Sequence, residues 1–163
     1  MNTIYIKKDS PCLFLRLVDF KKNNFIQEHI KTLNSKKCVW LLKMGRPIKK
    51  EFIKNIIEQN GVLILKETAR NGNKFYCCKI SSNDPFSEKL IYPDYYNDLF
   101  EENSFTNIEN LGNWFKITQI KELSDKDVKA FVTNTTGKDL YECGMKYTQV
   151  PQFYLHNNKN LEI

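Results

Sequence analysis

Val62-Leu63-Ile64-Leu65-Lys66-Glu67 and Lys74-Phe75-Tyr76-Cys77-Cys78-Lys79-Ile80-Ser81 flank the stretch Arg70-Asn71-Gly72-Asn73. Two apolar and aromatic runs about an Asn-Gly step read as paired strands, because Asn and Gly tolerate the positive φ a tight turn demands. Working outward from this hairpin, residues 3–7 and 12–18 read as strands broken by Asp9-Ser10-Pro11. Phe25, Ile26, His29, Ile30 and Leu33 recur at helical spacing, so a helix is predicted over about 23–34. Residues 38–44 form a continuous apolar strand. Pro47 then opens a helix whose face is Ile48, Phe52, Ile53, Ile56 and Ile57, and Gly61 stops it.

Beyond the hairpin, residues 82–112 form a long aromatic and acidic stretch, irregular except for a short helix near 95–101. A loop of this length inside a compact domain is usually functional or mobile. Residues 113–123 alternate as a strand. Ser124 is a candidate N-cap for a helix over 125–131, and the tail 141–155 is mixed, with Pro151 excluding a central strand. The pattern predicts one α+β domain over residues 1–163, a small mixed β-barrel with two or three flanking helices.

The 163 residues are 41% hydrophobic, 13% aromatic and 27% charged, which suits a folded domain with a real core rather than a disordered chain. The longest apolar runs, 38–42 and 62–65, fall far short of the ~18–20 residues of a membrane span. The first eight residues lack the apolar block of a signal peptide. Five cysteines, an odd number without Cys-x-x-Cys, fit reduced thiols, so the expected compartment is the cytoplasm. Charge is laid out unevenly. Residues 1–81 hold 17 Lys+Arg against 6 Asp+Glu and residues 82–163 hold 8 against 13, so the net +6 joins a basic half to an acidic one. Such an excess is a footprint for nucleic acid; the plainer reading is a solvated, lysine-rich surface.

Catalytic chemistry is hard to assemble. His29 and His156 are the two histidines, one on the predicted helix and one in the tail, where structural roles fit better than metal binding or a Cys–His nucleophile. Cys77 and Cys78 alternate across a strand and do not chelate together easily. No glycine-rich phosphate loop occurs, and acidic pairs such as Glu101-Glu102 read as solvated faces. The expectation is a non-enzymatic module without metal or cofactor. What remains is cations beside aromatics: Lys43, Arg46, Lys49 and Lys50 follow the strand carrying Trp40. Such cations hold phosphates while rings stack on bases. Trp40 and Trp114 equally suit a core.

Three segments carry a family resemblance. Trp40-Leu41-Leu42-Lys43-Met44-Gly45-Arg46-Pro47 resembles the opening strand of EVE domains, typically Trp-Leu-x-Lys-Ser-Glu-Pro. Asn113-Trp114-Phe115-Lys116-Ile117 through Leu123 resembles their late strand. Lys146-Tyr147-Thr148-Gln149-Val150-Pro151 resembles their closing Arg-Leu-Ser-Val-x-Pro, and the related YTH domains share this layout. The order is the family's, over residues 38–155, with 1–37 left as an N-terminal extension or an added strand and helix. Two features depart from it. Met44-Gly45 stands where Ser-Glu is usual, with Arg46 inserted, and the Trp-x-Gly-Val-Arg-Asn-like stretch has no counterpart.

The resemblance implies a PUA-like barrel that reads a modified, expectedly methylated, base flipped into an aromatic pocket beside a basic groove. It places Lys43, Lys146 and Thr148 on the nucleic acid, joined by the adjacent Arg46, Lys49 and Lys50. Trp40, Met44 and Tyr147 fall at its base pocket, to which Tyr92, Tyr95 and Tyr96 of the long loop are added as cage residues. The implied partners are DNA or RNA with a modified base and a protein effector such as a nuclease or NTPase, in a modification-dependent restriction or defence system. The alternative is a phage-encoded or regulatory protein that binds and blocks a nucleic-acid enzyme. A small hydrolase on the same kind of barrel lacks a convincing acid, base and nucleophile.

Overall fold

The computed structural model describes residues 3–66, 74–146 and 152–163, the side chains of 144–146 excepted. In chain order the described elements are β1 (Tyr5–Ile6), β2 (Pro11–Arg16), α1 (Phe25–Lys36), β3 (Val39–Lys43), α2 (Lys50–Glu58), β4 (Leu63–Lys66), β5 (Phe75–Ser82), α3 (Tyr95–Glu102), β6 (Asn113–Leu123), α4 (Asp125–Val128), β7 (Phe131–Thr133), α5 (Leu140–Lys146), β8 (Gln152–Asn157) and β9 (Leu161–Glu162). The fold is α+β. Seven strands form one sheet in the order β3-β6-β5-β4-β2-β8-β7, and β1 pairs with β9 as a separate ribbon. The predicted strand pair is present: β4 and β5 run antiparallel from Leu63↔Cys78 to Lys66↔Phe75. The Asn-Gly turn between them lies outside the described residues.

The sheet is open, which corrects the expectation of a closed barrel. Closure needs two free edges. The edges of this sheet are β7 and β3, and the outer side of β7 is taken by the bridge from Val132 to Asp139. β3 pairs with β6 alone, but its outer edge is occupied: the Trp40 amide donates to the Ile91 carbonyl at 2.7 Å and the Leu42 amide to the Tyr96 hydroxyl at 3.2 Å. The segment after β5 therefore covers the edge that a neighbouring strand would otherwise seek.

Other differences are local. Phe131 is a strand residue, paired with Asn157, so the predicted helix over 125–131 stops at Val128. The tail contains α5, and β8 lies inside the sheet. Proline at 151 does not prevent this, because β8 begins one residue later and needs no amide from it. Gly61 does more than end α2: a methyl carbon there would overlap the Pro11 carbonyl oxygen. Gly61→Ala is expected to push β2 from the α2–β4 connection and cost about 1–3 kcal/mol, read as a lower urea midpoint.

The core has three parts. Leu13, Leu15, Val39, Leu41, Leu63, Leu65 and Phe115 face α1 and α2. Phe14, Ile64, Phe75, Cys77, Leu123 and Leu155 face the β1–β9 ribbon, α4 and α5. Trp40, Leu42 and Trp114 form a third cluster with Tyr96 and Phe100 of α3. Residues 82–112 are thus pinned to the β3–β6 end of the sheet by their own aromatic side chains. Among the described residues, no helix is long and apolar enough to cross a membrane.

Candidate functional site

The exit of β2 and the end of β3, with three strands between them in the sheet order, border one cavity of about 290 Å³. Its walls are Arg16 at the end of β2 and Leu17, Val18, Asp19 and Phe20 after it; Phe25 and His29 of α1; Leu41, Leu42 and Met44 of β3 and its exit; and Tyr95, Tyr96 and Leu99 of α3. The volume sits near the lower bound of small-molecule sites, about 300–1,000 Å³. The start of α1 is fixed by local capping. Asp19 Oδ1 accepts from the Phe25 amide at 3.0 Å, and Asn24 Oδ1 caps the helix at the Gln27 amide at 3.1 Å. Phe25 and His29, one turn apart, therefore share the face that meets the cavity. Phe20 stacks on Tyr95 with ring centroids 6.1 Å apart at 19°. The Arg16 guanidinium lies over the Phe14 ring at 5.4 Å.

A hydrogen-bonded chain runs through the cavity wall. His29 Nδ1 lies 2.6 Å from the Phe25 carbonyl oxygen. A carbonyl only accepts, so the proton is on Nδ1. Full burial lowers the His29 pKa from 6.5 to about 4, the Phe25 carbonyl opposing it weakly, and the ring is neutral at pH 7. Nε2 is then an acceptor, and the Tyr96 hydroxyl 2.7 Å away donates to it. The same hydroxyl accepts from the Leu42 amide. Burial raises the pKa of both the Tyr95 and Tyr96 phenols, so both stay protonated. Tyr96 thereby ties α1, α3 and the edge of β3 together at one atom.

The residues singled out from the sequence separate into three groups. Met44, Tyr95 and Tyr96 do line the cavity. Trp40 does not: it is 0% exposed, because alternation on β3 turns it onto Trp114 and α3. Tyr92 belongs to the clamp on the loop, stacked on Tyr96 at 5.4 Å and 16°, and is absent from the cavity wall. Lys43 is only 4% exposed. Its Nζ donates to the Arg46 carbonyl at 2.8 Å, across a turn in which Gly45 holds a φ of 87°. Burial, and then the Arg46 charge, lower its pKa. Lys43 is thus a brace for the turn and not a phosphate contact. Arg46, Lys49 and Lys50 are exposed; Lys50 lies on a separate groove lined also by Phe86 and Trp114. The Lys146 side chain, Tyr147 and Thr148 lie outside the described residues.

Arg16, Asp19, Phe20, Phe25 and His29 were missed as site residues. All come from the N-terminal 37 residues. Phe25 and His29 were legible as one helix face, but the sequence carries no sign of what that face meets. Among the described residues no cluster of His, Cys, Asp or Glu is suited to a metal ion. Set against protein families, curated proteins and solved structures, the chain matches none of them.

Proposed function

We propose that this chain is a nucleic-acid-binding module that takes a flipped, modified base into the cavity between α1, α3 and the end of β3. The observation that carries the reading is a small aromatic cavity with cations at its margin. Arg16 lines it. Lys21 and Lys22 follow Phe20, and Arg46 lies two residues past Met44. Lys21 is ion-paired with Glu102; Lys22 and Arg46 are the proposed backbone contacts. A base in such a site gains from ring contact, about 1–3 kcal/mol for stacking, and a methyl group adds apolar area to bury. The cost of extrusion, a few kcal/mol, is smallest for single strands. The three ordered motifs, and a cavity bordered by both the exit of β2 and the end of β3, support a PUA-like reading related to EVE and YTH domains. On that reading the barrel seam is left open by the edge cover of β3.

Fluorescence anisotropy with single- and double-stranded DNA and RNA, with and without methylated bases, tests the proposal. A modified oligonucleotide should bind more tightly, with affinity falling as salt rises. Arg46→Ala should weaken every sequence and reduce the salt slope by about 1. Lys43→Met should lower the melting temperature and leave the slope unchanged, because its ammonium is spent inside the turn. Equal affinity with and without modification at physiological salt would refute the reader reading.

A second reading, an interaction protein, has one observation in its favour. Phe86 is 68% exposed, held outward by the Asp84 turn through its amide at 3.0 Å. It borders a groove of about 760 Å³ that also carries Glu51, Asp84 and Glu109. A stable protein complex lost on Phe86→Ser, with no oligonucleotide bound, would favour it.

A further inference from the structure

The exit of β3 joins the cavity to a second concavity. Met44 lines the cavity, and Pro47 and Ile48 line a groove of about 760 Å³. The chain from Met44 to Pro47 spans at most about 11 Å, so a strand whose base enters the cavity reaches the groove within its next few nucleotides. Arg46, exposed, lies between the two. The groove is braced at two places. The Ile48 amide donates to Asn113 Oδ1 at 2.8 Å, and Asn113 Nδ2 donates back to the Ile48 carbonyl at 3.2 Å. The second brace holds Phe86. Asp84 Oδ1 accepts from the Phe86 amide at 3.0 Å, the Asp84 carbonyl accepts from the Ser87 hydroxyl at 2.7 Å, and the Ser82 hydroxyl accepts from the Asp84 amide at 3.2 Å. Glu88, just beyond, pairs with Lys116 at 2.6 Å. A solitary exposed apolar residue needs no explanation. This one is fixed by its turn, 68% exposed, beside a groove.

Charge narrows the occupant. Lys50 and Lys54 line the groove, but so do Glu51, Asp84 and Glu109, and Lys54 is also matched by Glu58 at 3.9 Å. An interior with more acids than cations repels a phosphate and accepts a neutral ring. Phosphates fit the exposed cations beside it, Arg46, Lys49 and Lys50. Resting on the reading that the cavity holds a base, we propose that this groove is a second nucleic-acid subsite: Phe86 stacks on the base of a nucleotide flanking the flipped one, and Arg46, between cavity and groove, takes a phosphate that joins them. Every base has a face to stack, so this contact is tolerant of sequence. The cavity reads the modification, and the groove adds affinity to whatever flanks it.

The experiment removes one base at a time. Full-length protein is titrated with single-stranded DNA and RNA carrying one N6-methyladenine or N4-methylcytosine, and with the same strands made abasic at each neighbouring position in turn. Loss of one flanking base, with every phosphate kept, should weaken wild-type binding about tenfold or more. Phe86→Ala should weaken the intact strand by a similar factor, and the abasic strand should then lose little more, because ring and base act as one pair. Phe86→Trp, which keeps a ring, should bind as the wild type does. Phe86→Ala should keep the preference for the methylated strand, and its melting temperature should match the wild type, since the ring is exposed. Wild-type affinity in Phe86→Ala, with that preference intact, overturns the subsite and leaves the base reading standing. Losses from Phe86→Ala and from the abasic neighbour that simply multiply overturn it too. Absence of binding to every oligonucleotide overturns both readings, and a protein complex lost on Phe86→Ala then assigns the groove to a protein partner.

Discussion

Trp40→Ala is expected to lower the melting temperature by roughly 10 °C or more. Truncating a buried tryptophan removes its transfer free energy and leaves a cavity, about 3–5 kcal/mol together, and each kcal/mol moves a domain of this size by about 2–4 °C. Trp40 is packed with Leu42, Tyr96, Phe100 and Trp114, so the loss falls on the cluster that pins residues 82–112 to the sheet. Tyr96 is common to that cluster and to the cavity wall. Ligand binding should weaken as well, through loosening of α3 rather than loss of a direct contact. Trp40→Phe keeps most of the ring packing and should cost far less. Thermal unfolding followed by circular dichroism checks both variants. A Trp40→Ala protein that melts like the wild type yet loses binding would return Trp40 to the base pocket.

Stability should fall with acidification through the titration of His29. In the unfolded chain this histidine takes up a proton near pH 6.5, whereas in the folded protein it does so only near pH 4. Between those values the unfolded state binds the extra proton, so folding weakens as the pH drops from about 6.5 to about 4 and this contribution levels off below. At about 1.4 kcal/mol for each pH unit that separates the two titrations, the full effect is about 3 kcal/mol. Carboxylates titrate in the same range, so the measurement is the difference between wild type and His29→Asn in urea denaturation at several pH values. The variant should be less stable at pH 7, where Tyr96 loses its acceptor. The gap should narrow toward pH 4. A gap that stays constant from pH 7 to pH 4 would contradict the buried neutral histidine.

Much of the fold was legible one segment at a time. The helical face of Phe25, Ile26, His29, Ile30 and Leu33 is α1, and the run through Trp40 is β3. The apolar runs either side of Asn71-Gly72 are β4 and β5. Periodicity reports such elements because it reflects which side of a helix or strand is dry, a local property. The Ser124 cap was equally local: its hydroxyl accepts from the Asp127 amide at 3.2 Å. The end of α4 was not, because Phe131 joins the sheet through a partner 26 residues later, Asn157.

Local pattern sufficed for the α+β class, the element list around the hairpin, and the aromatic content of residues 82–112. It also placed Tyr95 and Tyr96 among the candidates for one pocket, to which the motif resemblance added Met44. Packing settled which aromatic rings face a cavity and which a core. Trp40 and Leu41 are neighbours on one strand, yet the pleat sends them to opposite faces, and which face is covered by α3 depends on contacts some 55 residues away. The same holds for Lys43, whose charge reads as available until the Gly45 turn brings the Arg46 carbonyl onto its Nζ. Arg16, Phe20 and His29 join the site because the connection after β2 and the start of α1 pack against the end of β3 and against α3, a meeting of elements distant in the strand order that no single one of them carries in its own pattern.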